Sequence, residues 1–170
     1  MKMKQLASVV GISLFSALAN PAYAEINQVD IHVDGLACPF CAYGLEKKLL
    51  GLDGTREIKI YMDKGIVTAA FNDSSSVTVK SIEQAVKDAG FTPNKYNIKA
   101  TGRFFRKQKP SVQDYFEVSV TRETYKVQPN PTLNSYDLLQ QYEIIGNVKK
   151  RNSQYIIIPK KIKPIKTKEK

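Results

Sequence analysis

From Gln28 to Asp34 apolar and polar residues alternate, with Val29, Ile31 and Val33 set against Asp30, His32 and Asp34. A period of two marks a strand with one buried face. The period then lengthens. Cys41, Leu45, Leu49 and Leu52 fall at helical spacing, which predicts a helix over Pro39–Leu52 that Asp53-Gly54 ends. Pro39 suits its first turn, where the missing N–H has no partner to lose. Arg56–Met62 and Ile66–Phe71 alternate again around Asp63-Lys64-Gly65, the pattern of a hairpin. Asn72–Ser76 is polar loop. Thr78 reads as the N-cap of a second helix carrying Val79, Ile82, Val86 and Ala89, with Gly90 as its stop. Tyr96–Thr101 offers a fourth strand after Pro93. The order strand–helix–strand–strand–helix–strand predicts an α+β, ferredoxin-like domain over 25–100, with both helices on one face of the sheet.

Beyond Thr101 the pattern is nearly all strand. Gly102–Pro110 is a basic strand followed by loop, and Tyr115–Val120 and Glu123–Val127 form a hairpin. Gln128–Ser135 is loop, Ser135–Gln141 a short helical turn, and Tyr142–Lys150 with Gln154–Pro159 a second hairpin around Arg151-Asn152-Ser153. Ile162–Ile165 extends the last strand. These elements predict a small, mostly-β domain over 101–165, either an OB-like barrel or an extension of the first sheet. Charge shifts at the same point. From Glu25 to Ala100 there are nine Lys and Arg against ten Asp and Glu; from Thr101 to Lys170 there are fifteen against six. Such a shift marks a domain boundary. It also makes the second half a candidate for docking on an acidic partner protein or an anionic membrane surface, with 166–170 as a basic tail.

The first 24 residues read as a signal peptide: a basic start at Lys2 and Lys4, an apolar run from Leu6 to Leu18, and Ala22-Tyr23-Ala24 before Glu25. A periplasmic or secreted protein follows. Nucleic acid is not an expected partner there, although Phe104, Phe105, Tyr115 and Tyr155 stand among basic residues.

Export sharpens the meaning of the cysteines. There are two, Cys38 and Cys41, in Gly35-Leu36-Ala37-Cys38-Pro39-Phe40-Cys41 at the junction of the first strand and first helix. A disulfide-stapled domain spreads four or more cysteines along the chain. A Cys-x-x-Cys at a helix start places both sulfurs near the positive end of the dipole, which favours the thiolate. Two thiolates either grip a soft metal ion or exchange with a disulfide.

Residues 25–100 resemble the heavy-metal-associated domain of copper chaperones, metal-transporting ATPase modules and periplasmic mercury-binding proteins. The family signature is Gly-Met-Thr-Cys-x-x-Cys; here Leu36 and Ala37 replace the Met and Thr. Leu49 to Gly54 matches the end of the family's first helix, and Ala89-Gly90-Phe91 its late Ala-Gly-aromatic. The resemblance implies that Leu36 packs under the loop, as the family Met does, and that Phe91 lies near the metal site. It also implies one Cu(I) or Hg(II) per chain on Cys38 and Cys41, passed by ligand exchange to a metal-transport or acceptor protein with thiol ligands. No enzyme activity is expected. Zinc, which prefers four ligands, is disfavoured. His32, the single histidine, falls on the strand face turned from the helices, and Met62 is a core filler. The competing class is a thiol-disulfide oxidoreductase using the same pair.

Overall fold

The computed structural model describes residues 25–128 and 136–165. The expected signal segment, most of the loop from Gln128 to Ser135 and the basic tail lie outside the described residues. In chain order the elements are β1 (Ile26–Asp34), α1 (Pro39–Leu50), β2 (Thr55–Tyr61), β3 (Ile66–Phe71), α2 (Val79–Asp88), β4 (Thr92–Lys107), β5 (Gln113–Val118), β6 (Thr124–Val127), β7 (Gln141–Arg151) and β8 (Gln154–Pro164). No helix among them is long and apolar enough to cross a membrane.

The first four strands pair antiparallel in the order β2-β3-β1-β4. Val29, Ile31 and Val33 of β1 and Val67 and Ala69 of β3 turn inward, and Leu45 and Leu49 of α1 and Val79, Ile82 and Val86 of α2 join them in the core. This is the βαββαβ arrangement that the alternation predicts. Helix α1 stops at Leu50 rather than Leu52: the N–H of Gly51 makes the last regular bond, to the carbonyl of Lys47, and that of Leu52 turns back only three residues, to Leu49. Helix α2 opens on a capping box: the Thr78 hydroxyl accepts from the N–H of Ser81, and the Ser81 hydroxyl from that of Thr78.

Where a fourth strand and a separate basic segment were expected, one strand of 16 residues runs through. One edge of β4 pairs with β1 up to Ala100 and then with β5 from Gly102 to Lys107. The opposite edge pairs with β7 from Tyr96 to Arg103. At the handover, the N–H of Thr101 donates to the carbonyl of Glu25 at 2.8 Å. Strands β4, β5, β6, β8 and β7 close a five-stranded barrel, in which β6 and β8 are parallel and the remaining pairs antiparallel. The last hairpin turns at Asn152 (φ 47°) and Ser153 (φ 62°), the doubly left-handed turn that suits two-residue hairpins. The helical turn predicted around Ser135–Gln141 is absent from Tyr136–Gln140. There the Asp137 carboxylate accepts from the N–H of Leu139 at 2.8 Å and makes a side-chain turn instead.

One hydrophobic core serves both halves. Tyr96, Ile98 and Ala100 face the helices, and the same face of β4 continues as Phe104, which lies inside the barrel against Phe116, Tyr136 and Tyr142. Polar contacts repeat the join. The Glu123 carboxylate, from the β5–β6 turn, accepts from the N–H of Val79 at 2.9 Å at the start of α2 and from the Tyr125 hydroxyl. In the middle of α2, Glu83 is 7% exposed and accepts from Lys87 on its own helix, from Lys150 of β7 at 3.0 Å and from Tyr155 of β8 at 2.6 Å. Burial alone would raise the Glu83 pKa, but these donors outweigh it and hold it at about 2.

Two outcomes are expected of equilibrium unfolding. Because the Glu83 pKa is depressed on folding, its contribution is complete above the unfolded value of 4.5 and fades as pH falls towards about 2. Glu83→Gln should therefore cost about 2 kcal/mol at pH 7, with the gap to the parent protein closing in acid; a gap that is constant with pH would contradict the role of the charge. At Gly102 a Cβ would sit 2.2 Å from the carbonyl oxygen of Glu117 and 2.7 Å from the Phe116 ring. Gly102→Ala should lower stability by about 2 kcal/mol or more in denaturant melts, by forcing β4 and β5 apart.

Candidate metal centre

Strand β1 delivers the chain to a short, braced loop. The N–H of Val33 donates to the carbonyl of Gly65 at 2.8 Å, and Asn94 places its amide 2.8 Å from both carboxylate oxygens of Asp34. Gly35 then takes a positive φ of 76°, and its carbonyl accepts from the N–H of Ala37 at 2.8 Å. Leu36 is buried in the core beneath this loop, as the family's Met position requires, while Ala37 is exposed. The sequence pattern marks Gly65 only as a turn residue and does not mark Asn94. Their bracing depends on strand pairings that no local pattern carries.

Cys38 is the N-cap of α1, in extended backbone conformation (φ −105°, ψ 120°), and Pro39 opens the helix. The Cys38 carbonyl accepts from the N–H of Ala42 at 2.9 Å, and its sulfur from the N–H of Cys41 at 3.4 Å. A thiolate there meets helix N–H groups that have no partner within the helix. Both cysteines are free; Cys38 is partly exposed and Cys41 exposed. The Cys41 thiol donating to Cys38, together with the Cys41 backbone N–H, lowers the Cys38 pKa; the same thiol contact raises that of Cys41. Of the two, Cys38 ionises first.

Aromatic side chains stand exposed on the first turns of α1. Phe40, between the cysteines, is 89% exposed, and Tyr43 one turn on is also exposed, with the Lys47 ammonium 5.0 Å from its ring centre. Phe91 and Met62 are partly buried against the core. His32 is half-buried on the helix-free face of the sheet, paired with Ile66 and Lys95. Among the described residues no three of His, Cys, Asp and Glu converge as a set able to hold a metal ion. The pair offers two sulfurs, reachable from solvent, and nothing harder beside them.

A profile of the heavy-metal-associated domain matches residues 30–92. The copper chaperone CopZ of Bacillus subtilis (strain 168) is 30% identical over 66 residues, which are 39% of this chain and 94% of that protein. The periplasmic component of the mercuric transport protein of Pseudomonas fluorescens is 25% identical over 89 residues, 52% of this chain and 93% of that one. A COP-associated protein of Helicobacter felis is 34% identical over 64 residues, 38% of this chain and 94% of its own length. Among solved structures, a CopZ metallochaperone is 27% identical, covers 39% of this chain and 98% of that chain, and gives a TM-score of 0.37. Matched along nearly the whole length of relatives this similar, the chain belongs to the heavy-metal-associated domain family.

Proposed function

We propose that this protein is an exported carrier of one soft metal ion, Cu(I) or Hg(II), which Cys38 and Cys41 hold as thiolates and pass on. The observation that carries the reading is the Cys38 sulfur on the cap of α1, with Cys41 in the first turn beside it and both open to solvent. Two sulfurs without a third donor suit ions that accept low coordination, whereas zinc wants three or four protein ligands. Binding releases the thiol protons to water. Transfer then needs an incoming thiol from an acceptor protein to displace one sulfur at a time, for which the exposed Cys41 is the accessible leaving group. No bond of a substrate is made or broken, so the protein is not an enzyme. The copper chaperones and the mercuric transport component among its relatives support carriage over thiol-disulfide exchange with the same pair.

The amino-terminal 24 residues would direct export, which places the work in the periplasm or outside the cell. Division of labour follows the charge: residues 25–100 handle the metal and 101–165 dock. Five strands closed into a barrel, with one parallel pair, favour the OB type for the second part.

Titration of the reduced full chain with Cu(I) and Hg(II) should show one ion bound per chain. Cys38→Ser with Cys41→Ser should abolish stoichiometric binding, and the parent should not turn over insulin reduction. Catalytic insulin reduction without metal retention would overturn the carrier reading.

A further inference from the structure

The helix-free face of the sheet carries a basic cleft. A cleft there is lined by His32 of β1, Asn94 and Lys95 of β4, and Lys149 and Lys150 of β7. His32 pairs directly with Lys95, and Tyr96 with Val148, so that Lys95 and Lys149 come next on their two strands. An imidazole and two ammonium groups therefore follow one another across three neighbouring strands. Like charges set across a strand pair repel, and folded proteins usually interleave them with carboxylates. Asp30 and Asp34 flank His32 on the same face of β1, but neither forms an ion pair with Lys95 or Lys149. Neither Lys95 nor Lys149 has an ion-pair partner among the described residues.

The two carboxylates keep their charge but are turned to neutral donors rather than to the lysines. Asp34 accepts from Asn94, and Asp30 from Thr68 at 2.8 Å and Asn97 at 3.3 Å. Lys150, at the rim, gives its ammonium to Glu83. The backbone is also adapted to the spot: between His32 and Val33 the register of β1 against β4 slips, so that Asn94 lies opposite no residue of β1. Bulges of this kind re-aim side chains and recur beside functional sites. Two neighbouring lysines left without an ion-pair partner at a cleft are expected where a ligand supplies one.

We propose that this cleft is a binding site for an anionic phosphate group, with Lys95 and Lys149 as its point charges and His32 as a further hydrogen-bonding group. Lysine serves phosphate in this way, without the fixed fork of arginine. The group is either a free phosphate compound or the headgroup of a lipid. The site does not depend on the metal reading, and it stands or falls without it.

The test uses the full mature chain, inorganic pyrophosphate as the free probe, and vesicles of phosphatidylglycerol against vesicles of phosphatidylcholine as the lipid probes. Calorimetry should show saturable binding of pyrophosphate or selective binding of the phosphatidylglycerol vesicles. Lys95→Gln with Lys149→Gln should weaken it at least tenfold, and Lys95→Arg with Lys149→Arg should retain it. Lys160→Gln with Lys161→Gln, which removes the same charge elsewhere, should leave it within twofold. In NMR spectra of the parent, the bound probe should shift His32 and Asn94 resonances, a readout that needs no variant to fold. Response to pyrophosphate identifies a free ligand, and response to phosphatidylglycerol vesicles alone a headgroup. No saturable binding of either probe, an equal loss in the Lys160–Lys161 control, or binding that leaves His32 and Asn94 unshifted overturns the proposal.

Discussion

From Tyr96 to Ala100 the backbone of β4 has hydrogen-bonded partners on both edges, β1 on one side and β7 on the other. In a free-standing βαββαβ domain with strand order β2-β3-β1-β4, β4 would be an edge, with a row of unpaired N–H and C=O groups offered to any passing strand. Here the strand continues past Ala100, exchanges β1 for β5, and brings back β7 to cover its other side. The barrel thus grows out of the sheet and shares its ladder. Because side chains alternate along one continuous strand, the apolar face of the first half becomes the interior of the second. The two halves consequently hold one core rather than two, and 134 described residues depend on a single strand being in register.

Helix α2 is the second place where the halves meet, and its contacts are polar. Glu123 satisfies the first N–H groups of the helix, and Glu83 gathers Lys150 and Tyr155 from the final hairpin. A buried carboxylate without donors would be costly, and its donors come from residues 67 and 72 positions away in sequence. That fixes the angle at which barrel and helix meet. It leaves α1 and the cysteine loop as the uncovered end of the helix layer, where the apolar rim of Phe40 and Tyr43 faces solvent. The cysteine loop itself is held from below by Leu36 and from the side by Asn94 and Gly65, so its sulfurs are open while its backbone is braced. The proposed carriage of an ion calls for that combination: a site formed before the ion arrives, and room for an incoming ligand.

Periodicity made the first half legible. Its strands and helices each bury one face, so that Val29, Ile31 and Val33, or Val79, Ile82 and Val86, reveal themselves by spacing. Leu36 was recoverable because its place in a known signature says what it must do. The second half hides its plan for physical reasons. Gly102 and the onset of basic residues read as a break, yet glycine is there because β5 comes too close for a side chain. The polar braces Asn94, Glu83 and Glu123 carry no local pattern, since each acts on a partner far away in the chain. Residues 136–140 had helix-compatible composition, but Asp137 captures the local N–H and turns the backbone before a helix can start.

At the centre of the proposed function is a two-sulfur clamp that takes an ion without recruiting a third protein donor. X-ray absorption at the metal edge of the copper- or mercury-loaded full chain addresses it most directly. Two sulfur neighbours, with no nitrogen or oxygen in the first shell, are expected. A shell that contains imidazole nitrogen or carboxylate oxygen, or a metal still bound after both thiols are alkylated, would contradict it.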